Sequence, residues 1–350
     1  MIIRNLVLGL DLGFGYLKAI SEDGAVLLPA TYQKGTIVDG NSVGIEVNVE
    51  NENYIAGIGD NYIANMREKV VDKSTIILTL AAIKQFYNGA DVVEVTIAAG
   101  LPARQYAALR DDLIKTLSSI NDLNVKFDGK KVKVVIKKVY TSRQGNVITA
   151  LEQIGADSGS TLCIDIGTKT VNAISMEDGL IENPEKDILT LSAGIQNLYT
   201  SFGQTLSNDF FIDENGKEVN LNIKGNKDVR KIITNGYVVA RGKKYYLTQP
   251  GHYTELLNKD IEKEFLSHLN IIKETFDVQK YEHIVVFGGG ANQFVKNYIK
   301  KVLESDVVVD EFRVIHGYDI NKKKFNLEKE EFSINQFLNA INYYLLAKDA

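Results

Sequence analysis

Two stretches of this chain, 154 positions apart, carry the same acidic turn punctuated by glycine, and a duplication of that kind constrains the plan of the whole fold. Leu10-Asp11-Leu12-Gly13 through Ala19-Ile20-Ser21 aligns with Ile164-Asp165-Ile166-Gly167 through Ala173-Ile174-Ser175. An Asp-Gly pair follows each copy, Asp23-Gly24 and Asp178-Gly179, the second one position late. The unit is too long for a solenoid, whose repeats run to roughly 20–50 residues. It implies two similar domains that face one another. With 350 residues and 45% hydrophobic content, the chain can bury a core in each.

Each copy reads as strand, tight turn, strand. Leu6 to Leu10 is a short apolar run, and Asp11 to Gly15 is the turn after it. Gly13 and Gly15 lack a Cβ, so they can adopt positive φ and let backbone amides converge on an anion. Lys18 can offer a point charge to a phosphate. In the second copy Thr161 to Ile164 is the strand and Gly167-Thr168-Lys169-Thr170 the turn, where hydroxyls partly replace glycines as donors. Two such loops can grip a polyphosphate from opposite sides. A bare carboxylate beside a phosphate would repel it, whereas Mg²⁺ is commonly held by one or two carboxylates together with phosphates and water. Asp11 and Asp165 are therefore the candidate metal ligands. Singly, either could be an ordinary turn-capping Asp; their matched flanks favour a shared role.

A third glycine cluster follows another apolar run: His283 to Phe287 leads into Gly288-Gly289-Gly290-Ala291-Asn292, with a helix expected over about 293–303. Glycines here would let a flat ring or a ribose press on the backbone; a plain strand-to-helix turn is the alternative. These three segments, in this order, resemble the two phosphate loops and the adenosine motif of the actin, heat-shock chaperone and sugar kinase superfamily. Within it the chain is most similar to ParM, the plasmid-partitioning bacterial actins, on its length, on Ala99-Gly100-Leu101-Pro102 and on Ser192-Ala193-Gly194-Ile195.

The resemblance implies an α/β fold of two actin-like (ribonuclease H-like) domains with mixed sheets flanking a nucleotide cleft. Domain I is expected over 1–155, with strands near 5–10, 15–20, 25–29, 92–99 and 132–139 and helices near 75–88 and 103–119. Domain II is expected over 156–333, with a polar inserted subdomain at about 208–250 and a helix at 254–276. A last helix within 334–350 would return to domain I, and it and a helix at 144–154 would be the two hinge connections. The implied ligands are ATP, or GTP, with Mg²⁺. Gly13, Phe14, Gly15 and Lys18 would form the first loop, Gly167, Thr168, Lys169 and Thr170 the second, joined by Gly194, with Gly288, Gly289, Gly290 and Asn292 around the nucleoside. Asp11 and Asp165 would be catalytic as well as metal-binding, and Gln144 would orient the attacking water, since phosphoryl transfer depends mainly on positioning and charge. Gln144 could instead be a helix-start residue without chemistry, and Glu152 is a weaker substitute.

The activity implied is a nucleotide-driven filament cycle: polymerisation with ATP, disassembly after hydrolysis, and plasmid segregation through a DNA-bound adaptor protein. Two other readings stay open. A small-molecule kinase of the same fold would need a base for its substrate hydroxyl, for which Asp157 is a poor candidate. A scaffold would bind nucleotide without turnover. The net charge of −5 offers no global basic field, so no direct nucleic-acid binding is expected, and Lys322-Lys323-Lys324 reads as a solvated loop. A single Cys excludes an internal disulfide, and Cys163 reads as a small buried strand residue, in keeping with a cytoplasmic setting. Met1 to Leu10 is too short to span a bilayer, so no membrane anchor is expected.

Overall fold

The computed structural model describes residues 1–37, 44–59, 61–62, 66–152, 157–192, 194–212, 218–304, 313–316 and 334–350. The first half runs β1 (Ile3–Leu12), β2 (Tyr16–Ser21), β3 (Gly24–Pro29), β4 (Thr31–Lys34), β5 (Ile45–Val49), β6 (Glu52–Ala56), β7 (Asn61–Tyr62), α1 (Met66–Val71), α2 (Lys73–Phe86), β8 (Val92–Pro102), α3 (Tyr106–Ser118), β9 (Val125–Phe127), β10 (Lys130–Gln144) and α4 (Ile148–Leu151). The second runs β11 (Ser160–Ile166), β12 (Val171–Glu177), α5 (Pro184–Asp187), β13 (Ile188–Leu191), α6 (Ile195–Asn208), β14 (Phe210–Ile212), β15 (Glu218–Asn220), α7 (Asn226–Asn235), β16 (Tyr237–Ala240), β17 (Lys243–Tyr246), α8 (His252–Thr275), β18 (His283–Phe287), α9 (Gln293–Glu304), β19 (Arg313–His316) and α10 (Ile334–Asp349).

The duplication read from the loops extends to the sheets. Among the described residues the first sheet contains the order β3-β2-β1-β8-β10 and the second is β13-β12-β11-β18-β19. In both, the first three strands are antiparallel and the last two run parallel to the middle one. The register is duplicated too: Asp11 faces Lys18 across its hairpin, and Asp165 faces Asn172. The two halves are not copies throughout, because β9, β5, β6, β4 and β7 extend the first sheet to ten strands. The sequence reading placed no strands over 31–62. It did place the Asp128-Gly129 turn, whose φ values of 51° and 76° suit the tight β9–β10 hairpin.

Period-two alternation decides where each strand residue goes. In β11, Leu162, Ile164 and Ile166 enter the core of the second half, whereas Cys163 joins a separate cluster between the halves. That third core is built on α10, whose Phe337, Leu338, Ile341 and Leu345 pack with Ile20, Cys163, Ile174 and Phe287. The helix comes so close to the first sheet that a Cβ on Gly9 would overlap the Ala340 carbonyl oxygen.

Two expectations need correction. Residue 144 ends β10 instead of opening a hinge helix, because the ladder with β8 continues to the Gln144–Pro102 pair. The helix in that region is only Ile148–Leu151; residues 153–156 lie outside the described set, as do Ala193 and Lys322 to Lys324. The polar 208–250 stretch also contains a helix that was not anticipated. In α7, Val229 and Ile233 are the buried pair, too few apolar residues to stand out in sequence.

Candidate functional site

Asp11 and Asp165 each end a central strand, at matched rungs of the two sheets, and both line one cleft of about 650 Å³. Phe14, Gly13, Lys18, Gly167, Thr168, Thr170, Gly288 and Gly289 line it as well, so all three sequence segments converge there. Gln144 joins them from the end of β10.

The twin turns close identically. The Gly13 amide donates to the Tyr16 carbonyl at 3.0 Å and the Gly167 amide to the Thr170 carbonyl at 2.8 Å. Those two amides are therefore used inside the turns. Nor does either turn need positive φ at Gly13, Gly15 or Gly167, contrary to the expected use of glycine. Close approach is the reason for Gly15: a Cβ there would lie 2.5 Å from the Thr168 hydroxyl, so the two loops meet across the cleft. Lys169 sits 4.9 Å from the Phe14 ring centre, a cation–π contact that also joins the halves.

The remaining predicted residues hold the loops. A Cβ on Gly194 would strike the Thr168–Lys169 backbone, and the first amides of α6, Ile195 and Gln196, donate to the carbonyls of Gly167 and Thr168, both at 3.1 Å. Gly288, at φ 97°, leaves room for the Asp165 carboxylate. Gly290 donates to the Ile166 carbonyl at 2.8 Å, and its missing Cβ would meet Ile166 and Ile195. Only Gly289 has a mostly open face, with Gln336 nearest at 3.8 Å. Asn292 accepts from the amides of Phe294 and Val295 and so caps α9.

Tertiary structure makes the two aspartates unequal. Asp11 accepts from Lys18 Nζ at 2.8 Å and from Gln144 Nε2 at 3.0 Å. Asp165 has Asn172 at the position of Lys18, and Asn172 is occupied with Thr190. Its carboxylate accepts instead from Asn339 Nδ2 on α10, at 3.0 Å, and the same side chain accepts from the Gly145 amide. Lys18 thus stands against Asp11, and the Asn339 amide donates to Asp165. These are the two carboxylates in the cleft lining, and among the described residues no group of three or more His, Cys, Asp or Glu could hold a metal. That donor set fits Mg²⁺, which takes its other ligands from phosphate and water.

Several lining residues escaped sequence reading. Asn172 could have been found by applying the repeat offset to Lys18. Tyr199, Asn226, Lys227, Arg230 and Asn339 had no such signal. Arg230 lies 4.0 Å from the Tyr16 ring centre across the cleft, and burial lowers its pKa. Burial also pushes the Tyr199 phenol up to about 12.

Residues 9–146 match the family described as the N-terminal domain of actin-like proteins. No curated protein sequence matches the chain. Among solved structures, the archaeal actin homologue Ta0583 superposes with a TM-score of 0.74 at 17% identity, covering 98% of this chain and 99% of that one. Its complex with ADP gives 0.69 at 18% identity over the same shares. A 15-stranded ParM filament from Clostridium botulinum gives 0.69 at 16% identity, covering 99% and 100%. The ParM-like resemblance carried by the three loops is borne out in the fold, which is the two-domain actin-like one.

Proposed function

Starting from an actin-like fold with one acidic strand end contributed by each half, we propose that this protein is a nucleotide-dependent, filament-forming ATPase that takes ATP or GTP with Mg²⁺. The observation that carries the proposal is the shared cleft of Asp11 and Asp165 at equivalent rungs. Asp165 and Asp11 would be the two metal-holding carboxylates. A bound Mg²⁺ would neutralise phosphate charge. The Thr168 and Thr170 hydroxyls and Lys18, which line the cleft, would engage phosphates, and Gly289 with Gln336 would receive the nucleoside. Gln144 donates one of its two amide hydrogens to Asp11, and its Oε1 would be the acceptor that orients a water in line with the terminal phosphate. Contacts from both halves to one ligand favour a closed cleft, and loss of the terminal phosphate weakens that preference.

Charge distribution supports self-association. Residues 221–250 carry seven Lys and Arg against one Asp, a net of +6 in a chain of −5, so the remainder carries −11. Lys243, Lys244, Tyr245 and Tyr246 lie exposed on β17, beside the start of α8. At the other end of that helix, near Lys280 and Ser160, is an exposed acidic turn containing Glu177, Asp178, Leu180 and Glu182. The 24 residues of α8 put about 36 Å between the two surfaces. Opposite charges at opposite ends favour head-to-tail contacts, which build open filaments when they do not close. The C. botulinum ParM neighbour is a filament by its description, and we extend this to plasmid segregation through a DNA-bound adaptor.

Pelleting and electron microscopy with ATP, GTP, ADP or no nucleotide, alongside phosphate release without any acceptor, test the proposal. Nucleotide-triggered polymer with phosphate release above a critical protein concentration is expected. Turnover only with an added acceptor would indicate a kinase, and polymer-free binding without turnover a scaffold.

A further inference from the structure

The buried side of α10 is more polar than a core helix requires. Asn335, Asn339 and Tyr343 follow at four-residue spacing, which sets them in one seam, and all three are buried. Asn339 ties Asp165 to Gly145, whereas Asn335 takes the Gly288 amide on its backbone carbonyl at 2.9 Å and, among the described residues, its side-chain amide has no hydrogen-bond partner. Tyr343, like the Asn335 side chain, makes no bond of the kind Asn339 makes. Its ring is fully buried, and among the described residues its hydroxyl has no hydrogen-bond partner. Phenylalanine would fill the same space without stranding a donor.

The backbone is nevertheless shaped around that hydroxyl. A Cβ on Gly100 would collide with the phenol oxygen and the ring carbon bearing it. Gly100 follows Ala99, the partner of Leu10, so it lies beside Asp11; on its other side it pairs with Ser142, two residues before Gln144. The hydroxyl therefore ends between the strands that deliver Asp11 and Gln144, one helical turn from the amide that holds Asp165. Burial first, and then the Asp11 and Asp165 charges, raise the phenol pKa, so the group is a protonated donor.

Resting on the nucleotide-and-cation reading above, we propose that Tyr343 is a positioning residue for the carboxylate pair. Its hydroxyl donates to water shared with Asp11 and Asp165 when the cleft carries its ligand, and so fixes the orientation in which they meet the cation. Tyr343 does not line the cleft itself and acts through the aspartates. The geometry predicts a trade: the hydroxyl is a liability in the free protein and an asset in the bound one.

Tyr343→Phe tests this by two measurements, thermal melting without ligand and ADP titration calorimetry in Mg²⁺ or in EDTA. The variant should melt at or above the wild-type temperature. It should bind ADP about tenfold more weakly in Mg²⁺, the worth of one hydrogen bond, and equally well in EDTA. Unchanged affinity in Mg²⁺ would overturn the proposal, as would an equal loss in EDTA, which would mean that the phenol only supports the loops. Wild-type protein that binds no ADP, or binds it without regard to Mg²⁺, would overturn the parent reading before any variant is made.

Discussion

Replacing Lys18 by Met keeps most of the side-chain volume and removes the charge that faces Asp11. The pair is deeply placed, with side-chain exposures of 11% for Lys18 and 4% for Asp11 and a separation of 2.8 Å. Breaking a buried pair from one side typically costs about 3–5 kcal/mol, because the surviving charge stays buried without compensation. The Gln144 hydrogen bond to Asp11 remains and offsets part of this, so the lower end, ~3 kcal/mol, is expected. That is a shift of more than about a hundredfold in the folding equilibrium, visible as a lower urea midpoint by circular dichroism. Adding Asp11→Asn should recover most of the loss, since a neutral pair of similar shape is close to break-even with a buried ion pair. A loss below ~1 kcal/mol for Lys18→Met would mean that water screens the pair as it does a surface ion pair. Failure of the second substitution to rescue would refute the reasoning equally.

Gln144→Ala should slow phosphate release about a hundredfold through lost positioning of water, while leaving assembly intact, so filaments should persist longer in turbidity decay; normal decay would remove Gln144 from this role. Gly289→Val has room in the fold, with its nearest neighbour at 3.8 Å, but projects into the cleft; melting should be unchanged and nucleotide affinity lost by calorimetry. Lys243→Glu with Lys244→Glu should abolish pelleting without lowering nucleotide affinity, and wild-type pelleting should weaken as salt rises. Burial pushes the Cys163 thiol well up, with Asp165 adding to the effect, so iodoacetamide at pH 8 should label it in urea and not in the native protein by mass spectrometry.

The repeat, the apolar runs and the glycine clusters fixed the hairpins and the three loops in advance, because strand alternation and turn chemistry are local properties of consecutive residues. The long helices were legible for the same reason: the sequence pattern Leu256, Ile261, Phe265, Leu269 and Ile272 marks one face of α8, and the structure buries the last four with Leu257 in place of Leu256. Local pattern says nothing about which distant side chain meets a given carboxylate. Gln144 reaches Asp11 across 133 positions, and Asn339 reaches Asp165 across 174. The sequence therefore determined that two equivalent aspartates end two equivalent strands. Tertiary packing alone decided that Gln144 would join Lys18 at the one and that an amide of α10 would hold the other, because long-range contacts depend on how the two sheets and that helix are stacked.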